Sequence, residues 1–266
     1  MRRRSMSDSP PSARVGRERE AHTSRDVLAR SMDLKLRFPH VLHSPTMRRM
    51  EADIARAISG VRGLHVLDLG CGRGEQSLQL LRLGARVTGI DVSIAYVAAA
   101  MAACGEAGHD ASRFEFLVMD AHALAFRDRE FDLVIGRGIL HHLDLEVALA
   151  QVRRVLVAGG LAVFQEPLAG NPLLRLFRRL TPQARTIDER PLSKADLARL
   201  ATSWQADNRH YGILGAPVAM LTSFILRSNP QNFLLRWADT CEQRLNRIGI
   251  FQPLNQYVLL QLRRLP

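Results

Sequence analysis

Apolar positions along the middle of the chain predict alternating strands and helices. Residues 65–69 alternate and are followed by apolar residues at helical spacing over 75–81. Three later apolar runs also read as buried strands: "ARVTGID" at 85–91, "FEFLVMDA" at 114–121 and "FDLVIG" from 131. A helix, a turn and a fifth strand follow in "QVRRVLVAGGLAVFQEP", and a last strand is predicted at 256–262.

The turn between the first strand and the first helix holds three glycines at alternate positions, after Asp68. Glycine tolerates positive φ, so such a turn brings backbone N–H groups and a helix N-terminus close to a ligand. A dinucleotide-binding loop would need a third glycine at the position of Glu75, and a phosphate-binding P-loop would need a lysine. The pattern excludes both motifs.

The run Asp-x-Gly-x-Gly-x-Gly resembles the first motif of class I S-adenosylmethionine (SAM)-dependent methyltransferases. In that family an acidic residue and three glycines hold the amino-acid end of the cofactor. The resemblance implies SAM as the cofactor here. It assigns this part of the site to Asp68, Gly70, Cys71, Gly72 and Gly74.

Later motifs of the same family follow in order. Asp91 ends the second strand, where a carboxylate can accept hydrogen bonds from both ribose hydroxyls. By the resemblance, Val92 packs on the adenine, Asp120 accepts from the exocyclic amine and the Ala121 backbone contacts a ring nitrogen. Gly136 stands where a backbone carbonyl meets the cofactor's amino group.

The resemblance covers roughly residues 45–168. It implies a Rossmann-like α/β fold with a seven-stranded, mostly parallel sheet and helices on both faces. We expect a disordered basic tail at 1–22, a helical cover at 23–60 and the methyltransferase domain at 61–266. Within this domain, helical insertions at 169–190, after strand 5, and 211–249, between strands 6 and 7, are expected to wall the substrate pocket.

The candidate catalytic residues follow the fourth and fifth strands. His141 and His142 lie where the resemblance places the methyl group, and the ordinary histidine pKa near 6.5 suits proton removal at neutral pH. His141 is the first choice for a general base, with His142 as the second. Glu166 is expected to orient that histidine or to accept the proton itself; its alternative role is a salt bridge to an arginine further along the chain.

Two features outside the motifs leave alternatives open. Arg175, Arg178 and Arg179 share a helical face, which either pairs with Asp188 and Glu189 on the surface or clamps an anionic substrate group. The apolar window 211–226 is shorter than the ~20 residues that span a bilayer. We expect it to be a buried cover element, with a lipid substrate or a membrane surface as the alternative.

Composition limits the possible partners. The chain has 266 residues and a net charge of +11, nearly all of its basic residues being arginine. We do not expect nucleic acid as the partner, because aromatic residues are only 6% and the string that grips a flipped base is missing from the fourth motif. Cys71, Cys104 and Cys241 show no metal-ligand spacing, so we expect no metal and a reducing, cytoplasmic environment.

These observations predict an enzyme that moves a methyl group from SAM to a small or lipid-like acceptor, with O-methylation of a hydroxyl favoured by the paired histidines. The alternatives are a C-methyltransferase of a quinone-like ring, a SAM-binding scaffold without turnover and an RNA methyltransferase. The acceptor and the oligomeric state are not predicted, because the expected pocket walls carry the fewest motifs. Peripheral membrane contact remains open.

Overall fold

In the computed structural model of the chain, the described residues are 38–172, 175–176, 189–225 and 229–265, together with Gly16. The predicted tail at 1–22 lies outside them except for Gly16. The first part of the predicted cover and most of the 169–190 insertion also lie outside the described residues. That part of the insertion includes Arg178, Arg179 and Asp188.

The core is a seven-stranded sheet in the order β3-β2-β1-β4-β5-β7-β6. The first five strands in this order are parallel neighbours, and β7 runs antiparallel to both β5 and β6. The predicted α/β sheet is confirmed. The strands are β1 (His65–Leu69), β2 (Arg86–Asp91), β3 (Phe114–Val118), β4 (Phe131–Arg137), β5 (Leu156–Pro167), β6 (Gln205–Tyr211) and β7 (Tyr257–Arg263).

The described residues include eight helices that connect and cover the strands. In the described part of the N-terminal cover, two helices each begin at a proline, whose fixed φ suits the first helical turn. None of the described helices has the length and apolar character needed to cross a membrane. The helices are α1 (Pro39–His43), α2 (Pro45–Ala57), α3 (Glu75–Arg82), α4 (Ile94–Glu106), α5 (Leu145–Val155), α6 (Lys194–Ser203), α7 (Gly215–Ile225) and α8 (Phe233–Leu245).

Alternation along the strands divides the core into two layers. In β1, Val66 faces a cluster that includes side chains of α2, α3 and α4, whereas Leu67 faces one that includes side chains of α5 and α6. Successive side chains of a strand point to opposite faces, so a strand buried on both sides needs a continuous apolar run. The expected helices on both faces are present.

The carboxyl ends of the parallel strands meet at one edge of the sheet. Since β6 is parallel to β5, the chain leaves Tyr211 at this same edge and forms α7 and α8 before returning as β7. Helix α2 also reaches this edge, because Glu51 forms an ion pair with Arg137 at the end of β4. The edge is where open α/β sheets bind ligands.

Candidate functional site

The glycine loop joins β1 to α3 and turns in the left-handed region. Gly70, Gly72 and Gly74 have φ of 74°, 52° and 89°. A Cβ at Gly70 would lie 2.8 Å from Cδ1 of Ile139, and one at Gly74 would lie 3.1 Å from Ala100. A Cβ at Gly72 would meet no atom within 4 Å. The loop is therefore packed at its two ends and open at its middle, which fits a ligand lying against the backbone of Gly72.

Asp91 connects this loop to the end of β2. Its Oδ2 accepts a hydrogen bond from the Gly72 N–H at 3.1 Å, and its Oδ1 accepts one from the Ser93 N–H at 2.9 Å. The N–H groups of Gly70 and Cys71 both donate to the Ile90 carbonyl at 2.9 Å. The predicted ribose-binding carboxylate thus lies directly beside the open part of the glycine loop.

Asp68 and Cys71 are buried below the loop. Asp68 accepts a hydrogen bond from the Ser77 hydroxyl at 2.5 Å, and burial raises its pKa to about 6, although this hydrogen bond opposes the change. Burial also raises the pKa of the Cys71 thiol well above its ordinary value, and the nearby Asp68 and Asp91 add to the effect. A thiol that stays protonated is no nucleophile, so Cys71 contributes packing to the loop.

The third predicted contact region follows β3. This strand ends at Val118, three residues earlier than the predicted 114–121, so Asp120 and the buried Ala121 lie in the segment that follows. Nε2 of His122 accepts from the Asp144 N–H at 2.8 Å, and its Nδ1 donates to Asp120 Oδ1 at 2.7 Å. His122 therefore holds the Asp120 carboxylate in position.

Gly136 near the end of β4 is required by close packing. A Cβ at this position would lie 2.6 Å from Cγ2 of Ile139 and 2.9 Å from the ring of Phe164. Ile139 thus packs against both Gly70 and Gly136. Through this side chain, the glycine loop contacts the turn that carries the two histidines.

Glu166 organises the 3-10 turn at Leu140–His142. Its fully buried carboxylate accepts hydrogen bonds from the N–H groups of Ile139 at 2.9 Å, Leu140 at 2.8 Å and His141 at 3.3 Å. It also accepts from Nδ1 of His141 at 2.7 Å. Because the carboxylate binds Nδ1, Nε2 is the nitrogen through which His141 can take a proton from a ligand.

Glu189 is a neighbour of His141 that the motifs did not reveal. Its Oε1 lies 3.5 Å from Nε2 of His141, and the next residue, Arg190, donates its N–H to the His141 carbonyl at 2.8 Å. The sequence pointed to Glu189 as a partner for arginines on the surface. Nothing in its local sequence signals the contact with His141, which forms only when the chain folds back on the turn.

The two carboxylates change the acid-base character of the histidine. Burial alone would lower the pKa of His141, but the hydrogen bonds and charges of Glu166 and Glu189 outweigh burial and raise the pKa to about 9. This differs from the ordinary value near 6.5 expected from the sequence. The His142 ring lies 4.1 Å from that of His141, centroid to centroid.

The site as a whole brings two groups of residues to one edge of the sheet. The glycine loop, Asp91 and Asp120 form a cradle suited to a nucleoside with a polar tail, and His141 is hydrogen-bonded to Glu166 in an arrangement suited to proton transfer. Val92 follows Asp91 directly in the turn after β2. Among the described residues, no group of three His, Cys, Asp or Glu side chains is arranged to hold a metal ion.

The chain is similar to known methyltransferases. The family described as "Methyltransferase domain" matches residues 67–164. The O-methyltransferase cnsE of Penicillium expansum is 33% identical over 126 residues, 47% of this chain and 45% of that protein. A ubiquinone biosynthesis O-methyltransferase of Chelativorans sp. is 31% identical over 107 residues, 40% of this chain and 41% of that protein. The chain thus matches less than half the length of these curated relatives.

Solved structures share the fold across most of the chain. The geranyl diphosphate C-methyltransferase of Streptomyces coelicolor A3(2) has a TM-score of 0.59 at 16% identity, with 82% of this chain and 80% of that one covered. The [4+2]-cyclase SpnF has a TM-score of 0.55 at 21% identity, with 82% and 81% covered. At these identities the likeness concerns the fold alone.

Proposed function

Because the chain contains a class I methyltransferase domain, we propose that the protein transfers a methyl group from SAM to a hydroxyl of a small or lipid-like acceptor. The observation that carries the proposal is the position of the Asp91 carboxylate, which lies 3.1 Å from the Gly72 N–H at the open part of the glycine loop. A carboxylate beside a left-handed glycine turn is suited to hold ribose hydroxyls next to a bound polar tail.

Each part of the cradle has its own task in this proposal. Asp91 accepts from the ribose, Val92 packs on the adenine, and Asp120 accepts from the exocyclic amine. The Ala121 backbone contacts the ring, and the Gly136 carbonyl accepts from the amino group of the methionine part. In the loop, Asp68 and Cys71 support the three glycines from below.

SAM, when bound, supplies a methyl group activated by the adjacent sulfonium. The chain's residues then have to place the acceptor in line with that methyl group and remove the hydroxyl proton. His141 takes this proton at Nε2, since Nδ1 donates to Glu166. Glu166 orients the ring and stabilises the resulting imidazolium, and His142 packs beside it.

The acceptor and the location belong to the same proposal. The curated relatives are named as O-methyltransferases, one of them of ubiquinone biosynthesis, which favours a hydroxylated and partly apolar small molecule here. We propose a cytoplasmic location, supported by three free cysteines.

Calorimetric titration of the full chain with SAM and with S-adenosylhomocysteine tests the cofactor site without knowledge of the acceptor. We expect both to bind. Asp91→Ala should weaken the binding of each by about 1–3 kcal/mol, because ribose hydroxyls that lose their acceptor are left unpaired. Asp91→Asn keeps one acceptor oxygen. Its affinity for each ligand should lie between the affinity of the unchanged protein and that of Asp91→Ala.

The matched control is Asp207→Ala, which removes a carboxylate that is 68% exposed on β6. This variant should bind both ligands as the unchanged protein does. Unchanged affinity in Asp91→Ala would refute the assignment of the cofactor site. Cofactor binding with no transfer to any hydroxylated aromatic, sugar or lipid would instead favour the scaffold.

A further inference from the structure

Helix α8 carries aromatic and basic side chains on the surface that faces away from the protein. Phe233 is 67% exposed and Trp237, one turn later, is 61% exposed. Arg236 and Arg244 are also exposed, and helical spacing places them beside or in line with these two aromatic residues. We call Phe233, Arg236, Trp237 and Arg244 the α8 face.

The acidic residues of the same helix point the other way. Asp239 and Glu242 are buried and both pair with Arg49 of α2 at 2.9 Å. Glu242 also accepts from the N–H groups of Gly212 and Gly215, at the beginning of the α7–α8 segment. Helix α8 is thus attached to the protein by its carboxylates, and its outer charged groups are all arginines.

Further apolar side chains are exposed on the elements next to α8. Helix α7, which packs against α8, exposes Leu221 to 58% and Ile225 to 67%. Directly after α8, Ile248 is 53% and Ile250 is 76% exposed. The described part of the segment 211–250 therefore presents apolar and cationic groups to its surroundings without an exposed carboxylate.

We propose that the α8 face binds the surface of a membrane that contains anionic phospholipids. Tryptophan and phenylalanine favour the headgroup region, where an apolar ring can be buried while polar atoms stay hydrated. Arginines beside them complement the charge of anionic lipids. The alternation of both residue types on one exposed surface favours a bilayer over a purely polar partner.

Membrane binding by this surface would bring the protein to a lipid-like acceptor, an inference that rests on the proposed function. Helix α7 begins at the carboxyl edge of the sheet, where the candidate site lies. In this proposal, a lipid-like acceptor in a bilayer bound at α8 reaches the candidate site from that edge. The binding itself requires neither SAM nor transfer, so it can be tested separately.

Vesicle flotation of the full chain tests the proposal. We expect the protein to float with vesicles of phosphatidylglycerol and phosphatidylcholine, and much less with phosphatidylcholine alone. Phe233→Ser/Trp237→Ser and Arg236→Gln/Arg244→Gln should each reduce the affinity for the anionic vesicles by roughly tenfold or more.

Matched variants on other surfaces control for charge and hydrophobicity. Arg82→Gln/Arg153→Gln removes the same charge from exposed positions of α3 and α5. Met101→Ser/Val147→Ser removes apolar side chains that are 49% and 39% exposed on α4 and α5. Both double variants should bind as the unchanged protein does, and thermal unfolding should verify that all variants fold.

Tryptophan fluorescence adds a direct readout of insertion. The chain has two tryptophans, and Trp204 is only 5% exposed, so Trp237 should dominate any response to vesicles. We expect its emission to move to shorter wavelength on binding. Trp237→Phe should lose this shift while still floating with the vesicles.

Three outcomes would overturn the proposal. The unchanged protein could fail to bind anionic vesicles. The α8-face variants could bind as well as the unchanged protein, which would assign binding to another basic region such as residues 1–30. Finally, sedimentation could show that the unchanged protein is a dimer and does not bind vesicles, whereas the Phe233→Ser/Trp237→Ser variant is a monomer. The α8 face would then be a contact between two copies of the chain.

Discussion

At the scale of single residues, His141 shows how strongly neighbours alter a side chain. Glu166 binds Nδ1 at 2.7 Å and Glu189 lies 3.5 Å from Nε2, so the imidazolium is favoured even in a buried position. With a pKa of about 9, only about one molecule in a hundred carries a neutral His141 at pH 7. A base of this kind works best in alkaline solution, or after the acceptor has displaced Glu189 from Nε2.

We therefore expect the rate of methyl transfer to rise with pH, with a midpoint near pH 9 where half of His141 has lost its proton, and to level off above that pH. Glu189→Gln removes one carboxylate from the ring and should move this midpoint to lower pH. A pH profile of the rate, together with an NMR titration of the His141 ring, measures both effects.

Glu146→Gln is the matched control, because Glu146 is exposed and pairs with Arg199 on the surface. It should leave the profile unchanged. A profile in which Glu189→Gln has the midpoint of the unchanged protein would show that Glu189 does not act on His141. Loss of transfer in His141→Ala with SAM affinity also lost would indicate a structural role for the histidine.

At the scale of elements, the loop between β1 and α3 depends on both its local sequence and a distant contact. Three glycines with positive φ are a local requirement, and the sequence alone reveals it. The contact of Gly70 with Ile139 is not local, because Ile139 belongs to the turn after β4. Helix α6 is a simpler case, since Ser193 and Asp196 form a capping box at its N-terminus from residues three positions apart.

Gly70→Ala and Gly63→Ala separate these two requirements. Both glycines have similar φ, 74° and 77°, but a Cβ at Gly63 would meet no atom within 4 Å. Gly63→Ala should cost about 1–2 kcal/mol through backbone strain alone. Gly70→Ala should cost roughly 1–3 kcal/mol more, because its Cβ displaces Ile139.

Chemical unfolding of both variants measures the two free energies. SAM affinity should fall in Gly70→Ala and stay constant in Gly63→Ala. An equal loss of unfolding free energy in the two variants would mean that Ile139 moves without cost. The contact between the glycine loop and the histidine turn would then not contribute to stability.

At the scale of the whole molecule, buried polar groups attach the cover helices to the sheet. Asp53 of α2 accepts from Tyr211 Oη and Arg209 of β6, and Arg49 of α2 binds Asp239 and Glu242 of α8. Within β6, His210 is buried, and burial lowers its pKa to about 4. Such a histidine prefers the neutral form in the folded protein.

We expect His210 to make the fold sensitive to acid. Its pKa is lower in the folded state than the ordinary 6.5, so its contribution to stability is present above pH 6.5 and is lost as the pH falls towards 4. The loss can reach roughly 3 kcal/mol. His210→Phe should reduce the decrease in unfolding free energy between pH 7 and pH 4.5, measured by chemical denaturation.

His43→Gln, which replaces an exposed histidine of α1, is the control and should retain the full decrease. The same slope in His210→Phe and in the unchanged protein would show that other groups cause the acid sensitivity.

Local sequence patterns were sufficient to predict most of the described elements and the resemblance to methyltransferases. Strands, helices and the glycine loop follow from apolar spacing, glycine and proline, whose effects act over a few residues. Asp91 and His141 could be named from the family resemblance, because Asp91 ends a predicted strand and His141 comes shortly after another. Parallel strands bring their carboxyl ends to one edge.

Contacts between side chains that are distant in sequence became visible only in the folded chain. Glu189 reaches His141 from 48 positions away, and the pKa of the histidine depends on that contact and on Glu166. The same holds for α8, whose sequence contains acids and arginines, because the fold alone decides that the acids face Arg49 and the arginines face outwards. Burial and electrostatic energy depend on distance in space, which local sequence patterns do not contain.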